Sequence, residues 1–155
     1  MTTLAPALPD QDIGSAAALQ AVAIFEADWA GGDDPPDGPL VVSPASSRQE
    51  LLDLIERART SVDIYAEVVQ DQDALTALAA AERRGVAVRL IVRDEDDEEN
   101  RAILFDLIDD GVDVRTLPGL YVHAKVIIID DRRAFLGSQN FTATSLDKNR
   151  ELGLL

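Results

Sequence analysis

Residues 40–155 of this sequence are predicted to form an α/β domain, a mixed β-sheet flanked by helices on both faces. Short β-branched runs alternate with amphipathic stretches throughout this region, which is the pattern of successive strand–helix units. Two of the amphipathic stretches run into Gly85 and Gly111, at positions where helices commonly end. The most apolar run, 126–129, is bounded by polar residues, as expected of a buried strand.

The first 39 residues are predicted to be organised separately. A helix is expected over 15–30, with Ser15 as its N-cap and two glycines after it. Residues 1–34 are therefore interpreted as an N-terminal helical segment, which could be the tail of a preceding half-domain. A Gly-, Asp- and Pro-rich stretch follows, and its residues 35–39 are assigned as a linker to the domain at 40–155.

Strands and helices alternate from Leu40 onwards. A helix with capping-box spacing is expected from Ser47 to about Arg59, because Glu50 follows Ser47 by three positions. Further helices are expected over about 73–84 and around 103–108. Strands are predicted at 40–42, 61–69, 86–92, 112–117 and 122–129, then in a hairpin through 130–131 to 134–136, and finally near Glu151.

The charge balance bears on the choice of partner. The chain has 14 basic and 29 acidic residues, a net charge of −15. Such a field repels polyanions, and DNA affinity usually depends on basic phosphate contacts, so nucleic acid is the less favoured partner. A local basic cluster near the candidate site could still outweigh this field: Arg132, Arg133, Lys148 and Arg150.

Metal and cofactor sites are not expected. The chain has no cysteine and one histidine, which leaves no thiolate site and no ordinary zinc site. Six consecutive acidic residues at 94–99 could hold a hard cation, but they lack the EF-hand pattern and more commonly lie in solvent at a helix start. Residues 1–9 lack the features of a signal peptide, and a cytoplasmic location is predicted.

The candidate catalytic residues lie at the start of the apolar strand. His123 and Lys125 are two positions apart, which places them on one face about 7 Å apart. A buried lysine is costly unless it meets an anion, so the pair suits phosphate chemistry. Ser138 and Asn140 add a hydroxyl and an amide that could bind phosphate oxygens. Asp130 has the opposite strand parity, which leaves a structural and a catalytic role open.

These residues resemble the signature of the phospholipase D superfamily. His123, Lys125 and Asp130 have the family spacing of histidine, lysine and aspartate, and a Gly-Ser-x-Asn turn begins at Gly137. A glutamate follows at Glu151, where family members commonly carry one. The resemblance implies that His123 forms a phosphohistidine, that Glu151 holds its second nitrogen, and that Lys125, Ser138 and Asn140 bind the phosphoryl group. It places Asp130 among the catalytic residues.

The same resemblance implies a second motif that this sequence does not contain. A homodimer or a missing partner half would have to supply the second histidine. The favoured function is a phospholipase D-type phosphodiesterase that hydrolyses or exchanges a phospholipid head group, with peripheral contact to the membrane. Two alternatives stay open: a dimeric endonuclease, and a non-catalytic half-domain that acts as an interaction module.

Overall fold

The computed structural model describes residues 13–32, 37–94 and 98–155, apart from the side chains of Ile13 and Glu99. The chain divides into two compact units, residues 1–40 and 41–155. The expectation about the acidic run at 94–99 falls mostly outside the described residues.

The first unit contains one helix, α1 (Ile13–Trp29), among the residues described. Gly31 ends it in the left-handed region at φ 78°, and Gly32 N–H donates to Ala27 O at 2.8 Å. The two predicted glycines therefore do close this helix. Four large apolar side chains lie exposed along it: Leu19, Val22, Phe25 and Trp29.

The second unit carries the sheet and four helices in the described ranges. Its strands are β1 (Leu40–Ser43, which begins at the boundary residue), β2 (Ser61–Ala66), β3 (Ala87–Val92), β4 (Asp113–Thr116), β5 (Val126–Ile129), β6 (Arg133–Gly137) and β7 (Glu151–Leu154). Its helices are α2 (Ser47–Glu56), α3 (Gln72–Arg83), α4 (Glu98–Asp109) and α5 (Ala143–Asp147).

The seven strands form one mixed sheet in the order β1-β7-β6-β5-β2-β3-β4. Strands β2, β3 and β4 run parallel to one another. Strand β5 pairs antiparallel with β2, and β6 and β7 continue the antiparallel part. The predicted fold class, an α/β domain with a mixed sheet and helices, is confirmed.

Alternation along the strands builds the core. Val62, Ile64 and Ala66 on β2 are buried, whereas Asp63 and Tyr65 between them are more accessible. Strands β3 and β5 repeat the pattern, and the apolar faces of α2 and α3 cover the buried positions. Burying one such large aliphatic side chain contributes roughly 1.5–3 kcal/mol, so this alternation also fixes the strand register.

The start of α2 differs from the prediction. Ser46, not Ser47, precedes the helix, and it makes no side-chain cap hydrogen bond. Ser47 is buried. Its Oγ is 2.6 Å from Ser43 Oγ and donates to Leu146 O at 3.0 Å. The capping-box prediction is wrong because the Ser47 hydroxyl links β1, α2 and α5 instead.

Two further elements depart from expectation. Helix α5, with Thr142 as its N-cap, was not predicted, and β5 begins at Val126 rather than at residue 122. The candidate histidine and lysine thus lie in the loop that leads into β5. Among the described residues, no helix is both long and apolar enough to cross a membrane.

Candidate active site

The candidate site lies at one edge of the sheet, where three neighbouring strands bring their polar ends together. Glu67 directly follows β2 and Arg93 directly follows β3, and these two strands are parallel. Strand β5 is antiparallel to β2, with Val126 opposite Tyr65, so the residues before β5 lie beside the residues after β2. The topology therefore brings Glu67, Arg93 and the 121–125 segment to the same edge.

Lys125 and Glu67 form a buried ion pair at the centre of this edge. Lys125 Nζ lies 2.7 Å from Glu67 Oε2, and the two side chains are 7% and 13% exposed. Lys125 Nζ also donates to His123 O at 2.9 Å. The sequence predicts that Lys125 needs an anion, and in the structure a carboxylate of the same chain occupies that position.

Two further donors reach the other oxygen of Glu67. The Tyr121 hydroxyl donates to Glu67 Oε1 at 2.9 Å, and Arg93 Nη1 lies 3.4 Å from the same oxygen. Arg93 also donates to the Tyr121 hydroxyl at 2.9 Å and lies over the tyrosine ring. Burial would raise the pKa of Glu67, but hydrogen bonds from Lys125 and Tyr121 and nearby positive charge lower it to about 2.

The His123 imidazole lies at the solvent side of this cluster. Its side chain is 70% exposed, and Nε2 lies 3.3 Å from Glu67 Oε2. The ring stacks against Tyr121 with centroids 6.2 Å apart. A neutral imidazole is a competent nucleophile, and here the ring is accessible to solvent next to the Lys125–Glu67 ion pair.

Asp130 lies at the opposite end of β5. Its carboxylate accepts backbone N–H groups from Arg59, Thr60 and Ser61 at 2.7 to 3.2 Å. These backbone hydrogen bonds, that of Thr60 foremost, lower the pKa of Asp130 well below its ordinary value. The residue also has φ 54° in the β5–β6 turn. Asp130 thus connects the turn to the start of β2 and is not brought to His123.

The Gly137–Asn140 turn follows β6. A Cβ on Gly137 would lie 2.5 Å from Phe135 Cζ and 2.9 Å from Gly153 Cα, so only glycine fits there. Ser138 is exposed, and Asn140 N–H donates to Ser145 Oγ at 2.8 Å. The Asn140 Oδ1 atom is buried and has no hydrogen-bond partner.

Glu151 begins β7 and is held by its own neighbours. Ser145 Oγ donates to Glu151 Oε1 at 2.7 Å, and Asn149 Nδ2 donates to the same oxygen at 3.0 Å. The other oxygen, Oε2, is buried without a partner. In the part of the chain that the structure describes, His123 contacts Glu67 and not Glu151.

The sequence analysis missed Glu67, Arg93 and Tyr121. The sequence does carry a signal for Glu67 and Arg93, because each directly follows an apolar strand, and parallel strands of one sheet end at the same edge. It does not show that Glu67 would pair with Lys125. Within the described ranges, no cluster of three or more histidine, aspartate or glutamate side chains could hold a metal ion.

Comparison with known proteins shows which family the chain belongs to. The family described as "Cardiolipin synthase, PLD-like domain" matches residues 51–155. The solved structure of the phospholipase D family member Nuc from Salmonella typhimurium superposes with a TM-score of 0.69 at 31% identity. That superposition covers 74% of this chain and 78% of Nuc.

The chain belongs to the phospholipase D superfamily.

Curated relatives of the phospholipase D superfamily agree with this assignment. A phospholipase D from Rickettsia prowazekii is 36% identical over 112 residues, covering 70% of this chain and 53% of the relative. A cardiolipin synthase from Halalkalibacterium halodurans is 27% identical over 124 residues, covering 73% of this chain and 25% of the relative. The chain thus spans about half the length of the first relative and a quarter of the second.

Proposed function

We propose that this phospholipase D-like chain supplies one half of an active site that hydrolyses or exchanges the head group of a phospholipid. The exposed His123 imidazole, beside the buried Lys125–Glu67 pair, is the observation that carries the proposal. It combines a nucleophile open to solvent with an ammonium group that can meet a phosphate oxygen. Similarity to a phospholipase D and to a cardiolipin synthase supports a lipid substrate.

The proposed reaction has two displacements at phosphorus. An imidazole nitrogen of His123 attacks, the bond from phosphorus to the leaving oxygen breaks, and the leaving oxygen takes a proton from an acid. Water, or an alcohol in head-group exchange, then attacks the phosphohistidine. The nitrogen–phosphorus bond breaks, and the group that acted as the acid accepts the proton.

Other motif residues have roles that fit their surroundings. Lys125, Ser138 and Asn140 are proposed to bind the phosphoryl oxygens. Glu151 Oε2 is buried without a donor, which suits a carboxylate that accepts from an imidazole once the site is assembled. For Asp130 we propose a structural role, because its carboxylate is engaged by the backbone before β2.

The acid in the first displacement is proposed to be a second imidazole. This chain has a single histidine, and His123 is already assigned as the nucleophile. A second copy across a two-fold axis, or a partner half, would bring the other imidazole to the far side of the phosphorus. For in-line displacement, we expect the two imidazoles to lie roughly 5–7 Å apart.

A second candidate is a phosphodiesterase that acts on nucleic acid. The likeness to Nuc, whose superposition covers 78% of that chain at 31% identity, is the comparison that bears on this candidate. The net charge of −15 weighs against a polyanionic substrate. A non-catalytic half-domain is the third candidate.

The test compares phospholipid vesicles with single-stranded DNA as substrates, in buffer containing EDTA. We expect head-group release, transfer to ethanol, and an acid-labile phosphoryl adduct on the protein. All three should disappear in His123→Ala but persist in Glu56→Gln, an exposed change at the end of α2. Cleavage of DNA in preference to lipid would support the second candidate, and no reaction with either substrate would support the third.

A further inference from the structure

The two faces of the sheet in the second unit differ in how far their apolar side chains are covered. Helices α2 and α3 pack against the face that carries the buried residues Val62 and Ile64. On the opposite face, which we call the open face, Tyr65, Leu136 and Leu154 are 37%, 58% and 37% exposed. Contiguous large apolar side chains left in water indicate a docking surface.

The apolar side chains of the open face form one row across five strands. Residues opposite one another on neighbouring strands point to the same face of a sheet. The register places Tyr65 opposite Val126, and Val126 opposite Leu136. Ile91 and Leu154 extend the row to β3 on one side and to β7 on the other. This apolar row is centred on Val126 of β5, the fourth of the seven strands.

We propose that a second copy of this chain docks on the open face, face against face, with the two apolar rows in contact. The inference deepens the proposed function, on which it rests for its role in catalysis. That function requires a second imidazole and leaves open which surface would bring it. The dimer itself is a separate claim, and it is measured without any substrate.

The charges on the open face suit a second copy. The chain has a net charge of −15, so two copies repel each other through most of their surface. On the open face, the charged strand residues are paired instead. Arg89 lies 2.6 Å from Asp63, and Arg115 lies 2.8 Å from Asp113. These two ion pairs border the apolar row as a polar rim, and together they add no net charge that would oppose a second acidic chain.

The size of the open face is sufficient for a weak, specific dimer. A patch five strands wide and about five residues long measures roughly 24 Å by 16 Å at the usual spacings of a sheet. Side chains project from this outline, so two such patches would bury on the order of 1,000 Å² in total. This is about the lower limit for specific interfaces, and we therefore expect a dimer that dissociates on dilution.

The apolar row also lies at the end of the sheet where the candidate site is. Val126 directly follows Lys125, and Tyr65 lies two residues before Glu67. With a two-fold axis parallel to the strands over β5, the two β5 strands lie opposite each other and both active-site edges lie at the same end of the dimer. Packed sheets are about 10 Å apart. This arrangement places the two His123 segments opposite each other, as the proposed shared site requires.

Light scattering of wild type over a wide concentration range measures the dimer. Leu136→Asp should raise the dissociation constant of the dimer at least about 100-fold, because each dimer would then bury two unpaired carboxylates. Phe105→Asp on α4 is the matched control, since Phe105 is also 58% exposed and the change in net charge is the same. It should dimerise as wild type does. Melting temperatures of both variants verify that they are folded.

Cross-linking tests the orientation of the two copies. The chain has no cysteine, so single cysteines can be introduced without interference. Strands β2 and β6 lie on either side of β5, and the proposed axis therefore places Leu136 of one copy opposite Tyr65 of the second copy. A short bismaleimide should join Tyr65→Cys to Leu136→Cys in a mixture, with a yield several times that of either variant alone. Phe105→Cys mixed with Leu136→Cys should give only background.

Failure of this inference and failure of the proposed function give different results. If wild type stays monomeric, or if Leu136→Asp dimerises as wild type does, the open face is not the docking surface, and the His123 chemistry is judged by its own assay. A monomeric wild type that sediments with phosphatidylcholine vesicles, and loses this binding in Leu136→Asp, would assign the open face to a lipid surface and overturn the inference. Dimers that form through the open face without His123-dependent activity would support the interface and reject the proposed function.

Discussion

For Lys125, the sequence predicts that an anionic partner is needed, but only the fold shows which residue that partner is. Its place on a buried strand predicts an anionic partner, and that prediction follows from the cost of burying a charge. The identity of the partner depends on β5 lying antiparallel to β2, which brings Glu67 alongside. Because the pKa of Glu67 is lowered to about 2, the pair stabilises the fold above the ordinary carboxylate pKa and loses this effect as the pH falls towards 2.

Gly137→Ala is predicted to destabilise the domain by about 2 kcal/mol. The added methyl group would clash with the buried Phe135 ring and with the backbone of Gly153, and neither can easily move away. Denaturant unfolding measures the change. Gly14→Ala on α1 is the matched control, since its methyl group would meet nothing within 4 Å and no destabilisation is expected. Equal stability of Gly137→Ala and wild type would contradict this account of the motif glycine.

Asp130→Asn is predicted to lower the melting temperature at pH 7 while leaving kcat, measured below that temperature, within about threefold of wild type. The carboxylate accepts three backbone N–H groups, and these bonds lower its pKa. Its stabilising effect is present above its ordinary pKa near 4 and is lost as the pH falls below that value. The melting temperature of the variant should therefore fall less on acidification. A loss of kcat as large as that of His123→Ala would instead assign Asp130 to catalysis.

At the scale of elements, Arg48 connects three helices of the second unit. From α2 it lies 2.7 Å from Asp71, the N-cap of α3, and 2.7 Å from Asp147 on α5. The hydrogen bonds that Arg48 donates to Asp147 and Asp71 raise the pKa of Arg48 above its ordinary value. This arrangement holds α5 against α2, and α5 in turn supplies Ser145 to Asn140 and Glu151.

Arg48→Met is predicted to destabilise the domain by about 3 kcal/mol, because the 5% exposed Asp71 would lose its cation. Arg57→Met is the matched control, since Arg57 pairs with Asp53 on the same helix but is 75% exposed, and less than about 0.5 kcal/mol is expected. Chemical denaturation of both variants decides the matter. Similar losses of unfolding free energy in the two variants would show that the ion pairs of Arg48 contribute no more than an exposed surface ion pair.

The elements that could be predicted from sequence are those whose signal is local. Gly85 predicts the end of α3 because the glycine itself adopts the positive φ that ends the helix. The apolar run at 126–129 predicts β5 because four consecutive apolar residues are typical of a buried strand. Ser47 was misread because its hydroxyl binds Leu146, 99 residues away. Helix α5 was missed because five residues carry too little periodicity to predict a helix.

The candidate site divides in the same way. The motif spacing predicts His123, Lys125 and Asn140 as site residues, since that prediction needs only the residues themselves. It did not give Glu67, whose neighbours come from other strands, and it placed Asp130 among the catalytic residues, although the structure places it at the other end of β5. The spacing between motif residues does not show at which end of a strand each residue lies.

At the scale of the whole molecule, the proposed mechanism predicts that activity depends on assembly. If two copies share one site, mixing wild type with an equal amount of His123→Ala should lower the activity of a fixed amount of wild type by about half, because half of the wild-type chains then pair with an inactive partner. The activity assay is combined with light scattering to follow the dimer.

The control for this mixture is Glu56→Gln, which should not lower the activity of wild type. Undiminished activity after full subunit exchange with His123→Ala would exclude a shared histidine. A monomeric and inactive wild-type chain would instead require that the second imidazole come from a different polypeptide.

The strand order of the second unit has one more consequence, for chain connectivity. Strand β1 lies next to β7, so the first and last strands of the sheet are neighbours, each only four residues long. Arg150, directly before β7, donates to the carbonyl of Ser43 at the end of β1 at 3.1 Å, so the start of β7 lies beside the end of β1. A short peptide could therefore join the end of β7 to the start of β1 and let the backbone be opened elsewhere. Gly85 is exposed, and a Cβ there would meet nothing within 4 Å, which makes the α3–β3 turn the natural place for new termini. Such a circular permutant keeps every strand pair and the active-site edge, and it brings Glu67 after His123 in sequence.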